Sequence, residues 1–259
     1  MSRLRDAFVH ADQAHRAAFV AYLTFGDPDP RASIDVVESA CRAGADVIEL
    51  GVPFSDPSAD GPSIQRAMER ALAAGATLAG ALGAVAELRS RGIATPIVLF
   101  GYYNPIFVMG VERFAERAAA AGVDAVLTVD LPVDELGELA APLARAGVGV
   151  IPLVAPTSTP DRIARVAAFA PPFVYYISLV GITGAASGAP VDPARLDAIR
   201  TAASAPVAVG FGVRTPDDVR RFVRAGADGV VVGTALVERV ASGGVAALVG
   251  ELSAGLTRT

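Results

Sequence analysis

Three carboxylates that lie close together in the sequence could perform acid–base chemistry. The segment ELGVPFSDPSADGPSIQ (49–65) places Glu49 inside the apolar run DVIELGVPF, and Asp56 and Asp60 in the Pro/Gly-rich run that follows. An ionised carboxylate in a buried strand is costly unless it is paired or functional. Burial in apolar surroundings also raises the pKa of a carboxyl group, which suits an acid that works near neutrality.

Glycine-rich turns near the end of the chain form a second candidate feature. They are GITGAASGA (181–189), GFGV (210–213) and VGTAL (232–236). Backbone N–H groups can approach an anion where glycine leaves the path open, and such turns close to a helix N-terminus bind phosphate in many α/β barrels. Barrel turns also need glycine for purely conformational reasons, but three successive turns favour a phosphate site.

The residues that are absent or rare exclude several chemistries. All 22 basic residues are arginine, so no lysine is available for a Schiff base with a carbonyl substrate or with pyridoxal phosphate. The two histidines, His10 and His15, are both N-terminal, which argues against a histidine-based zinc site and a Ser/His/Asp arrangement. The single cysteine excludes an internal disulfide. A magnesium site built only from the three carboxylates stays open.

What remains is acid–base chemistry by carboxylates on a phosphorylated small molecule. For carbon–carbon cleavage, the substrate itself would have to provide the electron sink, because the chain has no lysine. The net charge of −5 and the absence of a basic run argue against a nucleic-acid partner.

The length and composition predict one α/β barrel domain spanning residues 1–259. The chain is 53% hydrophobic and 19% charged, enough for a large core, and a barrel of this type takes roughly 250 residues. The N-terminus has no apolar signal-peptide core, and the charge-free windows 92–111 and 166–191 are interrupted by proline and glycine. We therefore expect a cytoplasmic protein with no membrane segment.

A sequence motif that occurs four times predicts the strands and helices that must position the carboxylates. RAGADVIEL, AAGVDAVLT, RAGVGVIPL and RAGADGVVV each join the end of an amphipathic helix, through a glycine, to a short apolar run. Such runs are typical of parallel strands that are buried on both faces. The pattern predicts eight strands, at residues 19–25, 46–52, 96–103, 125–130, 149–154, 173–178, 206–210 and 229–233.

Helical patterns separate the strands, and an additional helix is predicted at residues 3–14. Thr159 and Thr215 can cap the helices that begin STPDRI and RTPDDV, with proline at the first helical position. Eight alternating strands and helices indicate a closed (β/α)8 TIM barrel with an extra N-terminal helix. An open doubly wound sheet is the alternative, but the first strand lacks the Gly-rich turn usual in that fold.

On this scaffold, Glu49 is predicted to point into the barrel near its C-terminal mouth. Side chains alternate along a strand, so Ile48, Leu50 and Val52 share one face and Glu49 lies on the other. The all-apolar face suits contact with the helices, which leaves Glu49 on the inner face. The loop after the strand would carry Asp60 over the same mouth. Two plainer interpretations stay open: Glu49 paired with an arginine from a loop, and Asp60 acting as a turn or capping residue.

The motif at 49–65 closely resembles the signature of the tryptophan synthase α subunit family. The resemblance continues in register over essentially the whole chain, through TFGDP (24–28), YYNPI (102–106), VDLP (129–132), YYISLVGITGA (175–185) and GFGV (210–213). It implies an (α/β)8 barrel that cleaves indole-3-glycerol phosphate to indole and glyceraldehyde 3-phosphate.

The resemblance also implies roles for the two acids. Protonation of the indole ring at C3 makes an iminium ion within the substrate, which supplies the missing electron sink. Glu49 would be the general acid that delivers this proton and helps to move the proton of the glycerol hydroxyl. Asp60 would bind the indole N–H and stabilise the positive charge on the ring.

Further site residues are carried over from the family position by position. The resemblance implies that the phosphate binds near Gly184, Phe211, Gly212, Gly233 and Thr234, that the indole lies among Tyr22, Phe100, Leu127, Tyr175 and Phe211, and that Thr183 helps to close its loop over Asp60. Three positions depart from the common pattern: Tyr22 for phenylalanine, Ser58 for an apolar residue and Thr234 for serine.

Members of this family normally bind a β subunit that carries pyridoxal phosphate, in an α2β2 heterotetramer. The resemblance therefore implies no cofactor and no metal in this chain, and a partner that contacts the loops at 53–56, 104–107 and 130–132. A lyase of the same family that acts without a β subunit is the alternative. A barrel that binds phosphate without turnover is a third hypothesis, from outside the enzymes.

Overall fold

The computed structural model describes residues 2–177 and 191–258. This part of the chain contains nine strands, all paired in parallel. They are β1 (Ala18–Thr24), β2 (Val47–Gly51), β3 (Ile97–Gly101), β4 (Ala125–Thr128), β5 (Gly149–Val150), β6 (Leu153–Val154), β7 (Val174–Ile177), β8 (Val207–Gly210) and β9 (Gly229–Val232).

Helices alternate with the strands and surround them. They are α1 (Arg3–Gln13), α2 (Pro30–Arg42), α3 (Pro62–Ala73), α4 (Leu78–Ser90), α5 (Tyr103–Met109), α6 (Val111–Ala121), α7 (Gly137–Arg145), α8 (Pro160–Val166), α9 (Pro193–Ala203), α10 (Pro216–Arg224), α11 (Thr234–Val240) and α12 (Val245–Ser253), with a 3₁₀ turn at Ala167–Phe169. No single helix among the described residues is long and apolar enough to cross a membrane; α3 and α4 reach that length and composition only together, across a bend of 93°.

The strands form a ring that closes through the fifth predicted strand. The hydrogen-bonded order is β5-β4-β3-β2-β1-β9-β8-β7-β6, and β5 and β6 are successive parts of one segment, 149–154. One end of this segment pairs with β4 and the other with β7. The (β/α)8 barrel is therefore confirmed, and the open doubly wound sheet is not.

Two predicted strands differ from the structure: the third ends at Gly101 because α5 begins at Tyr103, and the fifth is broken in two. Ile151 and Pro152 lie between β5 and β6, and proline has no N–H to donate to a neighbouring strand. Ile151 N donates to Val126 O at 2.9 Å, whereas Tyr175 N donates to Pro152 O at 3.1 Å. The segment therefore pairs with β4 before the proline and with β7 from the proline onward, and the ring stays continuous.

Two predicted helix starts are confirmed by their capping bonds. Thr159 Oγ1 accepts from Arg162 N at the start of α8, and Thr215 Oγ1 accepts from Asp218 N at the start of α10. At α10 the Asp218 carboxylate in turn accepts from Thr215 N, which completes a capping box. Proline follows each threonine at the first helical position, as the sequence predicts.

Two hydrophobic clusters form the core, one on each face of the ring. The outer cluster fills the space between strands and helices, and the inner cluster fills the barrel. α1 contributes Leu4, Phe8 and Ala11 to the inner cluster, where the Phe8 ring lies 5.1 Å from that of Phe173. Because Phe173 precedes β7, α1 covers the N-terminal end of the barrel, and the opposite, C-terminal end holds the candidate site.

Candidate active site

Glu49 lies on the inner face of the barrel, as the alternation of β2 predicts. Its neighbour Val47 belongs to the inner cluster, whereas Ile48 and Leu50 belong to the outer one. The Glu49 side chain is fully buried, and neither carboxyl oxygen has a hydrogen-bond partner among residues 2–177 and 191–258. A buried acid with no internal partner is free to interact with a ligand.

Pairing with an arginine does not account for Glu49. None of the ion pairs in the described part of the chain includes this carboxyl group, and the sequence of 178–190 contains no arginine. With no cation beside it, burial raises the pKa of Glu49 to about 8. The group therefore carries a proton at neutral pH.

Asp60 lies in the irregular segment between β2 and α3, over the same end of the barrel. Its Oδ2 accepts a hydrogen bond from the Tyr102 hydroxyl at 2.7 Å. Burial raises the pKa of Asp60 to about 6, and the bond from Tyr102 opposes this rise. α3 is capped by Gly61 without a side-chain bond, so Asp60 is not its capping residue.

Tyr102 holds this segment in place, and sequence reasoning missed it as a site residue. Its ring stacks on Phe54 with 4.8 Å between centroids, and its hydroxyl accepts from Ala59 N at 3.0 Å while donating to Asp60. The signal that could have found it is its position directly after β3, at the barrel end where functional residues collect. Tyr102 is therefore a positioning residue for Asp60.

Replacing Tyr102 by phenylalanine tests this role without removing the ring. Tyr102→Phe is expected to raise the pKa of Asp60 further, because a hydrogen bond to the ionised form is lost. Amide exchange in the 54–60 segment should also become faster. Carboxyl titration by NMR and hydrogen exchange measure both effects, with Tyr103→Phe as the matched control. An unchanged Asp60 pKa would show that the hydroxyl does not hold the carboxylate.

Aromatic side chains form a wall beside the two acids. The Phe100 ring meets Tyr22 edge-on at 5.1 Å and lies 6.5 Å from the Tyr175 ring. Leu127 is fully buried in the same inner cluster. The structure therefore brings together four of the residues assigned to an aromatic ligand. Four partly buried residues packed against this cluster were not predicted: Ala7, Ile64, Val129 and Leu153.

Two glycines make room for the tyrosines of this wall. A Cβ on Gly51 would overlap the Tyr22 hydroxyl and lie 2.7 Å from its Cζ. A Cβ on Gly210 would overlap the Tyr175 hydroxyl in the same way and lie 2.9 Å from its Cζ. Gly51 ends β2 and Gly210 ends β8, so each tyrosine reaches over the end of another strand.

The candidate phosphate residues follow the last two strands. Phe211 and Gly212 come directly after β8; Gly212 is exposed with φ +67°, a conformation that favours glycine. Gly233 and Thr234 form the start of α11, and both are partly exposed. The other two predicted residues of this end, Thr183 and Gly184, lie outside the described residues.

Asp56 does not join Glu49 and Asp60 in a metal-binding group. It is exposed, and its carboxylate accepts from the hydroxyl of the adjacent Ser55. Within the described ranges, no three His, Cys, Asp or Glu side chains form a group that could bind a metal ion. The magnesium alternative thus finds no ligand set among these residues.

Comparison with known proteins agrees with this geometry. The family model described as Tryptophan synthase alpha chain matches residues 8–251. A tryptophan synthase alpha chain from Geobacter sulfurreducens is 51% identical over 239 residues, which cover 92% of this chain and 90% of the relative. One from Nitrosococcus oceani is 48% identical over 242 residues, covering 93% and 89%.

Solved structures give the same result at the level of the fold. A chain of tryptophan synthase from Mycobacterium tuberculosis superposes with a TM-score of 0.91 and 38% identity, covering 100% of this chain and 99% of that one. The tryptophan synthase alpha subunit of Legionella pneumophila gives a TM-score of 0.87 at 31% identity, covering 98% of both chains. This chain belongs to the tryptophan synthase alpha chain family.

Proposed function

We propose that this protein cleaves indole-3-glycerol phosphate to indole and glyceraldehyde 3-phosphate, as the α subunit of a tryptophan synthase. The observation that carries the proposal is the fully buried Glu49 carboxyl group, which has no partner in the described part of the chain and a pKa of about 8. A protonated acid facing an aromatic pocket suits proton transfer to an electron-rich ring. The whole chain, 1–259, would act as one barrel domain.

In the proposed mechanism, Glu49 gives its proton to C3 of the indole ring. The ring nitrogen becomes an iminium, and the Glu49 carboxylate then accepts the proton of the glycerol hydroxyl next to C3. As that hydroxyl becomes the aldehyde of glyceraldehyde 3-phosphate, the carbon–carbon bond breaks and its electrons return to the ring. Indole leaves, and Glu49 is protonated again.

Asp60 would stabilise the positive ring by accepting a hydrogen bond from its N–H. With a pKa of about 6, this carboxyl group is mostly ionised at neutral pH, whereas Glu49 is mostly protonated. Two acids on one barrel end with separated pKa values are suited to two different roles.

The remaining assignments complete the proposed complex. The indole would contact the wall formed by Tyr22, Phe100, Leu127 and Tyr175, together with Phe211. The phosphate would bind to backbone groups near Gly184, Phe211, Gly212 and Gly233 and to the Thr234 hydroxyl. Thr183 would help to close its loop over Asp60.

The pH dependence of kcat/KM should follow the two acids. Activity is expected to rise as the pH passes about 6, because Asp60 ionises, and to fall as it passes about 8, because Glu49 loses its proton. Initial rates of indole release between pH 5 and pH 9 measure this profile. A flat profile, or one that falls between pH 5 and pH 7, would contradict the assignment of the roles.

We also propose that a β subunit binds over the C-terminal end of the barrel and carries the pyridoxal phosphate, in an α2β2 heterotetramer. Phe107 and Val108 on α5 are 65% and 73% exposed, and neighbouring exposed apolar side chains are typical of a protein contact. The helix follows Tyr102, which positions Asp60, so a partner on α5 lies close to the site. Contacts at 53–56 and 130–132 would extend the same face.

Co-purification with a β subunit tests this partner. Binding should weaken when Phe107 and Val108 are changed to serine, and should persist in Leu72→Ser, which changes an exposed apolar residue near the end of α3. High indole release by the isolated chain, with no stimulation by the β subunit, would instead favour the stand-alone lyase.

An assay of indole release from indole-3-glycerol phosphate tests the central proposal. The purified chain, with and without a β subunit, is expected to form indole and glyceraldehyde 3-phosphate in equal amounts. Binding of the substrate without any turnover in either case would overturn the enzyme proposal in favour of a phosphate-binding barrel.

A further inference from the structure

Two buried hydroxyl groups in the site have no role in the proposed mechanism. They belong to Tyr22 and Thr24, which lie at alternate positions of β1 and so face the same side of the strand. Both hydroxyl oxygens are buried without a hydrogen-bond partner among residues 2–177 and 191–258. Buried polar groups are normally bonded, so a pair that is not bonded points to a ligand.

The two hydroxyls lie on the inner side of the barrel beyond Glu49, toward the segment that carries Asp60. Tyr22 is the strand partner of Glu49, and Thr24 is the partner of Gly51. The hydroxyl of Tyr22 reaches over Gly51, where a Cβ would overlap it. It therefore lies one inward-facing position nearer the barrel mouth than Glu49, on the side from which the segment carrying Asp60 departs.

The side chain of Tyr22 is closely surrounded. The Phe100 ring meets the tyrosine edge-on at 5.1 Å, and Gly233 lies so near that a Cβ added there would be 3.6 Å from Tyr22 Cβ. Burial, and then the charge of Asp60, raise the pKa of Tyr22 well above its ordinary value, although the neighbouring Thr24 hydroxyl opposes the rise. The hydroxyl thus remains protonated and available as a donor.

We propose that Tyr22, with Thr24 beside it, forms a polar subsite that binds an acceptor atom next to the N–H of a bicyclic aromatic ligand. The inference rests on the proposed function, in which Asp60 holds the ring N–H and Glu49 faces C3. A hydroxyl between these acids faces the ring atom between N–H and C3. Indole carries C–H at that atom, whereas indazole carries an acceptor nitrogen.

Paired binding measurements of indole and indazole test the subsite. Dissociation constants are measured by calorimetry on the full chain with saturating glycerol 3-phosphate, for the wild type, Tyr22→Phe, Thr24→Val and Tyr176→Phe. The preference for indazole over indole is expected to fall about 3- to 10-fold in Tyr22→Phe, the range for one neutral hydrogen bond. Thr24→Val should lower it less.

Tyr176→Phe is the matched control, because this buried tyrosine belongs to the outer cluster. It should keep the wild-type preference. The melting temperatures of Tyr22→Phe and Tyr176→Phe show whether each variant keeps the fold of the wild type.

An indazole preference that is the same in the wild type and Tyr22→Phe would overturn the subsite. Indole release by the wild type is measured in parallel. If indole release is present but the preference does not change, the subsite alone is wrong. If the wild type neither cleaves its substrate nor binds indole or indazole, the proposed function fails, and the inference fails with it.

Discussion

Glu49→Gln is expected to fold and to lose indole release by about 10³- to 10⁴-fold in kcat. The amide keeps the shape and burial of the side chain but cannot transfer a proton, and general acid–base catalysis contributes roughly 10²- to 10⁴-fold. We place the loss at the upper end because one group serves both proton transfers in the proposed mechanism. Steady-state kinetics with indole-3-glycerol phosphate measures the effect.

Glu251→Gln is the matched control, since this exposed residue on α12 undergoes the same chemical change. It should retain wild-type kinetics. Near-wild-type indole release by Glu49→Gln would show that another group delivers the proton.

Glu49→Gln should also raise the free energy of unfolding at high pH, relative to the wild type. Burial raises the pKa of Glu49 from 4.5 to about 8 in the folded protein, so the folded state binds the proton more tightly than the unfolded state. The protonated group therefore contributes fully to the free energy of unfolding below pH 4.5. This contribution is lost as the pH rises through 8, and the free energy of unfolding falls by up to about 5 kcal/mol. Denaturant titrations at pH 5 and pH 9 should show that the free energy of unfolding falls less between these pH values for Glu49→Gln than for the wild type.

Asp60→Asn is expected to lower kcat by about 10²- to 10³-fold while the binding of glycerol 3-phosphate survives. Loss of one preorganised group that stabilises transition-state charge typically costs that much. The Tyr102 hydroxyl can still donate to the amide oxygen, so the segment should keep its position. Kinetics and calorimetry on the same preparation separate the two effects.

Asp56→Asn is the control for Asp60→Asn, because Asp56 lies in the same segment but is exposed. It should leave kcat within about twofold of the wild type, the size of effect usual for an exposed substitution. If Asp60→Asn loses phosphate-ligand binding and turnover equally, Asp60 has a structural role instead of the proposed electrostatic one.

The inward position of Glu49 could be predicted because strand geometry is local. Side chains alternate with a period of two, and the apolar neighbours Ile48 and Leu50 identify the outer face. The threonine caps of α8 and α10 could be predicted for the same reason, since each bond spans only three residues.

The partners of Asp60 could not be predicted in this way. The bond from Tyr102 joins residues 42 positions apart, and it depends on how two loops meet above the ring. The room that Gly51 leaves for the Tyr22 hydroxyl likewise depends on the offset between β1 and β2. Such contacts follow from packing between elements, which a periodic pattern does not encode.

The state of the Glu49 carboxyl group is the most direct test of the whole account. Infrared difference spectra of the wild type against Glu49→Gln should show a protonated carboxyl band at pH 7 in the ligand-free protein, titrating with a pKa of about 8. A carboxylate band at pH 7, titrating near the ordinary glutamate pKa of 4.5, would mean that a cation or water stabilises the charge. Glu49 would then not be the proton donor.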